Sequence, residues 1–146
     1  MPFVTYLILL SVIVQVGLTF FILLRMRAVR HKALADGHVR IADIAVNHNA
    51  WPEQVRAVQN SYINQFELPV LFYVAVLLVL NLSFELWIFA ILCWAFVISR
   101  IVHAVIHTSD NHVPKRYMAF LFGFVIVLLQ WLYILVYSTY AFILVG

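Results

Sequence analysis

Four separate stretches of this chain are long and apolar enough to cross a bilayer, and that length, met four times in 146 residues, leaves little choice of fold. Crossing the hydrocarbon core takes about 20 predominantly apolar residues as a helix. The stretches fall at roughly 3–24, 55–80, 84–107 and 116–145. The first carries no charge and ends at Arg25, Arg27 and Arg30. The second opens on the polar turn Trp51-Pro52-Glu53, with proline placed where a first helical turn accepts it. A very short connection, Asn81-Leu82-Ser83, leads into the third, and Pro114-Lys115-Arg116 opens the fourth. Such short links make successive helices antiparallel neighbours, so the expected fold is an all-α membrane protein, an antiparallel four-transmembrane-helix bundle. Residues 1–146 read as a single membrane domain. Charged residues make up 10% of the chain, where soluble domains carry about 25%, and 66% are hydrophobic.

The charges that remain are placed unevenly. Arg25, Arg27, Arg30, Lys32, Arg40 and Arg56 surround the first loop, Arg100, Lys115 and Arg116 the third, and the second loop has none. The positive-inside rule therefore puts the loop 25–54 in the cytoplasm, and with it both termini on the non-cytoplasmic side. Met1-Pro2-Phe3-Val4-Thr5-Tyr6 lacks the basic start of a secretory signal, so the first stretch is expected to stay as a span. The expected setting is a bacterial inner (plasma) membrane. A formal charge of +3 gathered at loops matches anionic lipid headgroups and not nucleic acid. Within the first loop, Ile41-Ala42-Asp43-Ile44-Ala45-Val46 has the pattern of a short interfacial helix. The one cysteine, Cys93, lies in an apolar run, which excludes an intrachain disulfide and a CxxC motif and makes it a packing residue.

Against this background Glu67 stands out. A carboxylate within a membrane helix costs roughly 2.5–3.5 kcal/mol on insertion scales, so it is expected to face the interior and find a partner. Glu85, by contrast, adjoins the short external loop, where water reaches it. At ~100° per residue Arg56, Asn60, Asn64 and Glu67 fall on one stripe about 80° wide, and Arg100, His103 and His107 on another about 60° wide. Both stripes lie at the ends of their helices nearest Lys115 and Arg116, so they can meet in one layer. Two readings stay open. Glu67 neutralises Arg100 inside the bundle while the histidines are satisfied core groups, or the surplus of positive charge around one carboxylate receives an anionic ligand. His103 and His107 at i, i+4 also match a two-ligand metal spacing, but without a carboxylate beside them or a cysteine partner no metal is expected. No Ser-His-Asp set, P-loop or GxGxxG motif is present.

Asn64-x-x-Glu67-x-Pro69, Arg100-x-x-His103 and Pro114-x-Arg116, together with the basic segment Arg30-His31-Lys32-Ala33-Leu34-Ala35-Asp36, resemble the MAPEG family, membrane-associated proteins in eicosanoid and glutathione metabolism. The resemblance covers roughly residues 15–140. It implies a homotrimer of four-helix protomers binding glutathione between neighbouring subunits. Helices one and two are expected to make most of the trimer contacts, because four spans leave too little interior to bury a carboxylate, two asparagines and an arginine within one protomer. Asn64, Glu67, Arg100, His103 and Arg116 would line that site. Arg116 would be the catalytic residue that holds the glutathione thiolate, and Arg100 and nearby basic groups would hold the tripeptide's carboxylates. Three positions differ. Asn60 stands where family enzymes commonly have arginine, with Arg56 one turn earlier as a substitute guanidinium. His107 stands for a tyrosine that contacts glutathione, and Phe120 for a tyrosine further on. The implied activity is glutathione conjugation to lipophilic small molecules or reduction of lipid hydroperoxides. Because some members bind without catalysing, the alternative is a non-catalytic trimer that holds a lipid or a partner membrane protein.

Overall fold

A computed structural model describes residues 1–81 and 86–145; the connection 82–85, Glu85 included, lies outside the described residues. The helices are α1 (Phe3–Ala35), α2 (Ile41–Val46), α3 (Glu53–Ile63), α4 (Leu68–Asn81), α5 (Trp87–Thr108) and α6 (Val113–Val145), with single 3-10 turns at His48–Ala50 and Asn64–Phe66. No strand occurs among the described residues. Four helical lengths are long and apolar enough to span a membrane: α1, α3 with α4, α5, and α6. The all-helical, four-span expectation holds, and the short helix expected at 41–46 is present.

Two elements depart from the reading at the level of sequence. The chain after Leu24 is not yet loop, because α1 continues through the basic segment to Ala35. Arg, Met, Ala, Lys and Leu are all strong helix formers, and nothing before Gly37 breaks the run. Gly37 does, at φ 70°. The amides of Gly37 and His38 return to the carbonyls of Leu34 and Ala33 at 3.1 and 3.0 Å, the paired bonds that close a helix on a left-handed residue. With 33 residues at 1.5 Å each, α1 is about 50 Å long, well beyond a hydrocarbon core of about 30 Å.

The second departure is in helix two, which is interrupted. Pro69 has no amide hydrogen to return to Gln65, and its ring crowds that carbonyl. The chain tightens into the 3-10 turn at Asn64–Phe66, Glu67 leaves helical geometry (ψ −101°), and α4 starts afresh at Leu68. The change of pitch alters which side chain points inward. Gln65 is buried, and Glu67, expected to face the interior, is exposed on the protomer surface.

The core joins Phe72 and Val76 of α4, Phe89, Cys93 and Phe96 of α5, and Ile126 and Val127 of α6, with Ile8 of α1 closing it. Phe72 and Phe96 stack at 4.8 Å. Uncharged polar groups cross this core: Gln15 Nε2 donates to Gln65 Oε1 at 3.0 Å, and Gln130 Nε2 to Cys93 Sγ at 3.8 Å. A smaller cluster, Ala33, Val39, Trp51 and Val55, packs the end of α1 against α3. Arg25 Nη2 donates to the carbonyl of Thr108 at 2.6 Å, which fastens α1 to the end of α5.

Candidate functional site

On α3 the buried residues are Val55, Val58 and Ser61, which leaves Arg56 and Asn60 on the opposite, exposed side. On α5 the polar stripe faces inward, and Arg100, His103 and His107 are all buried. Between these surfaces and the start of α6 lies an open cleft of about 460 Å³, lined by Asn60, Asn64, Glu67, His103, His107 and Arg116, with Ile63, Val113, Tyr117 and Phe120 as its apolar wall. Six of the eight residues singled out in the sequence thus share one cavity. Arg56 lines a neighbouring recess of about 220 Å³ together with Asn60, His107 and Arg116.

His103 organises the cleft. Its Nδ1 is 3.1 Å from the carbonyl oxygen of Arg116 and its Nε2 is 3.2 Å from Asn64 Nδ2. A carbonyl only accepts, so the proton sits on Nδ1, and Nε2 is left to accept from the Asn64 amide. One ring therefore ties the 3-10 turn that follows α3 to α5 and α6. His107 meets His103 edge-on at 5.5 Å, and its own Nδ1 is buried without a hydrogen-bond partner. It lines the cleft, the Arg56 recess, and a third cavity of about 430 Å³ that reaches Arg25 and Asp110.

Arg116 is half-buried, and its Nη1 donates to Asn111 Oδ1. Asn111 holds a left-handed backbone, φ 51°, in the turn joining α5 to α6, a conformation asparagine adopts more readily than most residues. It aims the guanidinium. Nothing in the spacing marked it beyond its place after Asp110, a turn-forming pair between two spans.

Arg100 does not line the cleft. It lies between the rings of Phe96 and Phe120, 5.7 and 5.4 Å from their centroids, and donates from Nη2 to the carbonyls of Ala119 and Phe120 at 3.2 and 3.4 Å. Gly123 makes the room, because a Cβ there would stand 2.6 Å from Arg100 Nη2. Glu67 is within electrostatic reach of this guanidinium but not paired with it, and among the described residues the ion pair is Arg40 with Asp43. The reading in which Glu67 neutralises Arg100 by direct contact therefore has no support within the protomer, whereas His103 is the satisfied histidine that reading expected.

The cleft presents one guanidinium, one carboxylate, two carboxamides and two imidazoles beside an aromatic wall. Such a set suits a small zwitterionic or anionic molecule with an apolar companion, since arginine recognises carboxylates in fixed, often bidentate geometry. The sequence profile of the MAPEG family matches residues 8–136, which includes every residue of the cleft. The chain belongs to the MAPEG family. No curated protein and no solved structure matches it. MAPEG membership and four membrane-length helices make it an integral, multi-pass membrane protein of a family concerned with eicosanoid and glutathione metabolism.

Proposed function

We propose that this MAPEG protein is a glutathione-dependent membrane enzyme that conjugates glutathione to lipophilic electrophiles or reduces lipid hydroperoxides with it. The observation that carries the reading is the convergence of Arg116 with Asn60, Asn64, Glu67, His103 and His107 in one cleft. Glutathione carries two carboxylates, an amino group and a thiol, and the residues present fit it. Arg116 and, through the adjoining recess, Arg56 meet carboxylate or thiolate, Glu67 meets the amino group, and Asn60 and Asn64 meet amide edges. Bound there, glutathione supplies a sulfur nucleophile. Arg116 favours the ionised thiol because a guanidinium stabilises an adjacent anion, and its place in the first turn of α6 adds the positive end of that helix. Tyr117 and Phe120 offer the apolar acceptor a wall on the same cleft.

In this proposal the protein works as a homotrimer, contacts being made chiefly by the first two spans, and the lipophilic substrate arrives from the bilayer between subunits. Exposure of Asn60 and Glu67 in the protomer supports a site completed by a neighbour. Both termini lie on the non-cytoplasmic side and the basic loops in the cytoplasm, as in a bacterial inner membrane, with the whole chain forming one unit.

A non-catalytic trimer that holds a lipid or a partner membrane protein is favoured by one feature. Arg100 is committed to Phe96, Phe120 and backbone carbonyls, and Asn60 stands where family enzymes commonly have arginine, so Arg116 is the sole Lys or Arg lining the larger cleft. Calorimetry with glutathione, alongside thiolate absorbance near neutral pH, separates the two. The enzyme reading expects binding and a thiolate band in wild type, both diminished in Arg116→Ala and little changed in Lys115→Ala. An intact trimer that binds no glutathione selects the non-catalytic reading. Equal thiol ionisation in wild type and Arg116→Ala would place the sulfur away from Arg116.

A further inference from the structure

Away from the cleft, a pocket of about 280 Å³ opens in the elbow between the basic end of α1 and the short helix α2. Leu34, Ile44 and Trp51 form its apolar floor, Arg27, Arg30 and His31 its rim, and among the described residues no acidic one lines it. We propose that this elbow is a binding site for one anionic phospholipid, with the phosphate held at the rim and the apolar part laid along the floor.

Arg30 gives the sharpest indication. Its Nη2 donates to Gln59 Oε1 at 2.7 Å and its guanidinium lies 5.2 Å from the centre of the Trp51 ring, so the charge is fixed against the ring that floors the pocket. The guanidinium is thereby held beside the apolar floor as a fixed positive charge, which draws a phosphate to the mouth of the pocket. The local field is not cancelled from within. Asp43, the acid of α2, is taken by Arg40 through two bonds of 2.9 Å.

Position agrees with chemistry. The rim begins one turn after Leu24, the last residue of the uncharged run of α1, so the pocket opens where hydrocarbon gives way to headgroups. Ile41 at the start of α2 is exposed and available to the same bilayer. A free phosphate would satisfy the cations but leave the floor uncovered. A zwitterionic lipid would cover the floor but bring its own cation beside Arg27 and Arg30. An anionic phospholipid answers both.

The test is native mass spectrometry of the purified protein after exposure to phosphatidylglycerol, phosphatidylcholine or inorganic phosphate. Wild type should retain one phosphatidylglycerol per subunit through activation that strips phosphatidylcholine, and inorganic phosphate should not displace it. Arg27→Gln combined with His31→Gln should lower retention by about tenfold or more, because the headgroup loses a guanidinium and a ring N–H donor. Both side chains are exposed, so melting should stay at the wild-type value. Lys115→Gln, an exposed cation outside the pocket, should leave retention unchanged. Equal retention of phosphatidylcholine would overturn the proposal. So would a double variant that holds the lipid like wild type, or an equal loss in Lys115→Gln, which would mean general surface attraction. Absence of any retained phosphatidylglycerol would overturn it as well.

Discussion

His103 shows how one side chain supports three helices, and what its loss should cost. His103→Phe keeps a ring of similar size but strands the Asn64 amide and one lone pair of the Arg116 carbonyl, which are now within 3.2 Å of its nitrogens. A broken polar contact of this kind typically costs about 1–3 kcal/mol, so the melting temperature in detergent should fall visibly. An unchanged value would show that the link contributes nothing. Gly123→Ala acts on the neighbouring charge. Its methyl would push into the Arg100 guanidinium and the Ser99 hydroxyl, both within 3 Å, and overpacking of this sort costs about 1–3 kcal/mol. Chemical denaturation in mixed micelles would measure it, and a neutral result would mean that Arg100 can swing aside. Glu67 teaches the opposite lesson. Its charge was legible in the sequence, but its partner was not, because the partner expected inside the protomer depends on a helical phase that Pro69 resets. Glu67→Gln should therefore shift protomer stability by no more than about 0.5 kcal/mol, as exposed substitutions do, while weakening glutathione binding in calorimetry. A large loss of stability with binding intact would return Glu67 to a structural role.

At the scale of elements, what sequence pattern conveys well is apolar length, and what it conveys poorly is phase. The span from Glu53 to Asn81 was recognisable from its composition, but the turn of 3-10 helix inside it follows from one proline, and that turn decides that Gln65 rather than Glu67 faces the core. The three glutamines that bond or bury within the bundle, Gln15, Gln65 and Gln130, drew no notice because single neutral residues barely change a hydropathy profile. Spacing carries part of the cleft: Arg56 with Asn60 on α3, and His103 with His107 on α5, share a face because residues four apart do so in any regular helix, whereas Asn64 and Glu67 reach the cleft through the 3-10 turn. The end of α1 is not legible in the same way, since the arginines that mark the end of an apolar run are themselves good helix formers. Gly37→Ala probes that end. A Cβ there meets nothing within 4 Å, so the penalty is the left-handed backbone alone, about 1–2 kcal/mol. Thermal melting followed by circular dichroism reads the loss, and no change would mean the cap is dispensable.

For the molecule as a whole, the bundle was legible because a bilayer admits so few alternatives, whereas a trimer is a proposal that rests on the family resemblance. The prediction at this scale is a three-subunit species in native mass spectrometry from mild detergent; a clean monomer would leave Asn60 and Glu67 facing lipid and would remove the shared site. The way Arg100 is housed bears on how the protein comes to be in the membrane at all. Its carbonyl acceptors and the glycine that admits it all belong to α6, and His103 on the same helix leans on α6 as well. Emerging from the ribosome, α5 would carry an arginine with no acceptor yet made, at a cost of up to about 2.5–3.5 kcal/mol at mid-membrane. Lateral release from the insertion channel is therefore eased when α6 accompanies α5, and the last two helices are expected to enter lipid together as a hairpin.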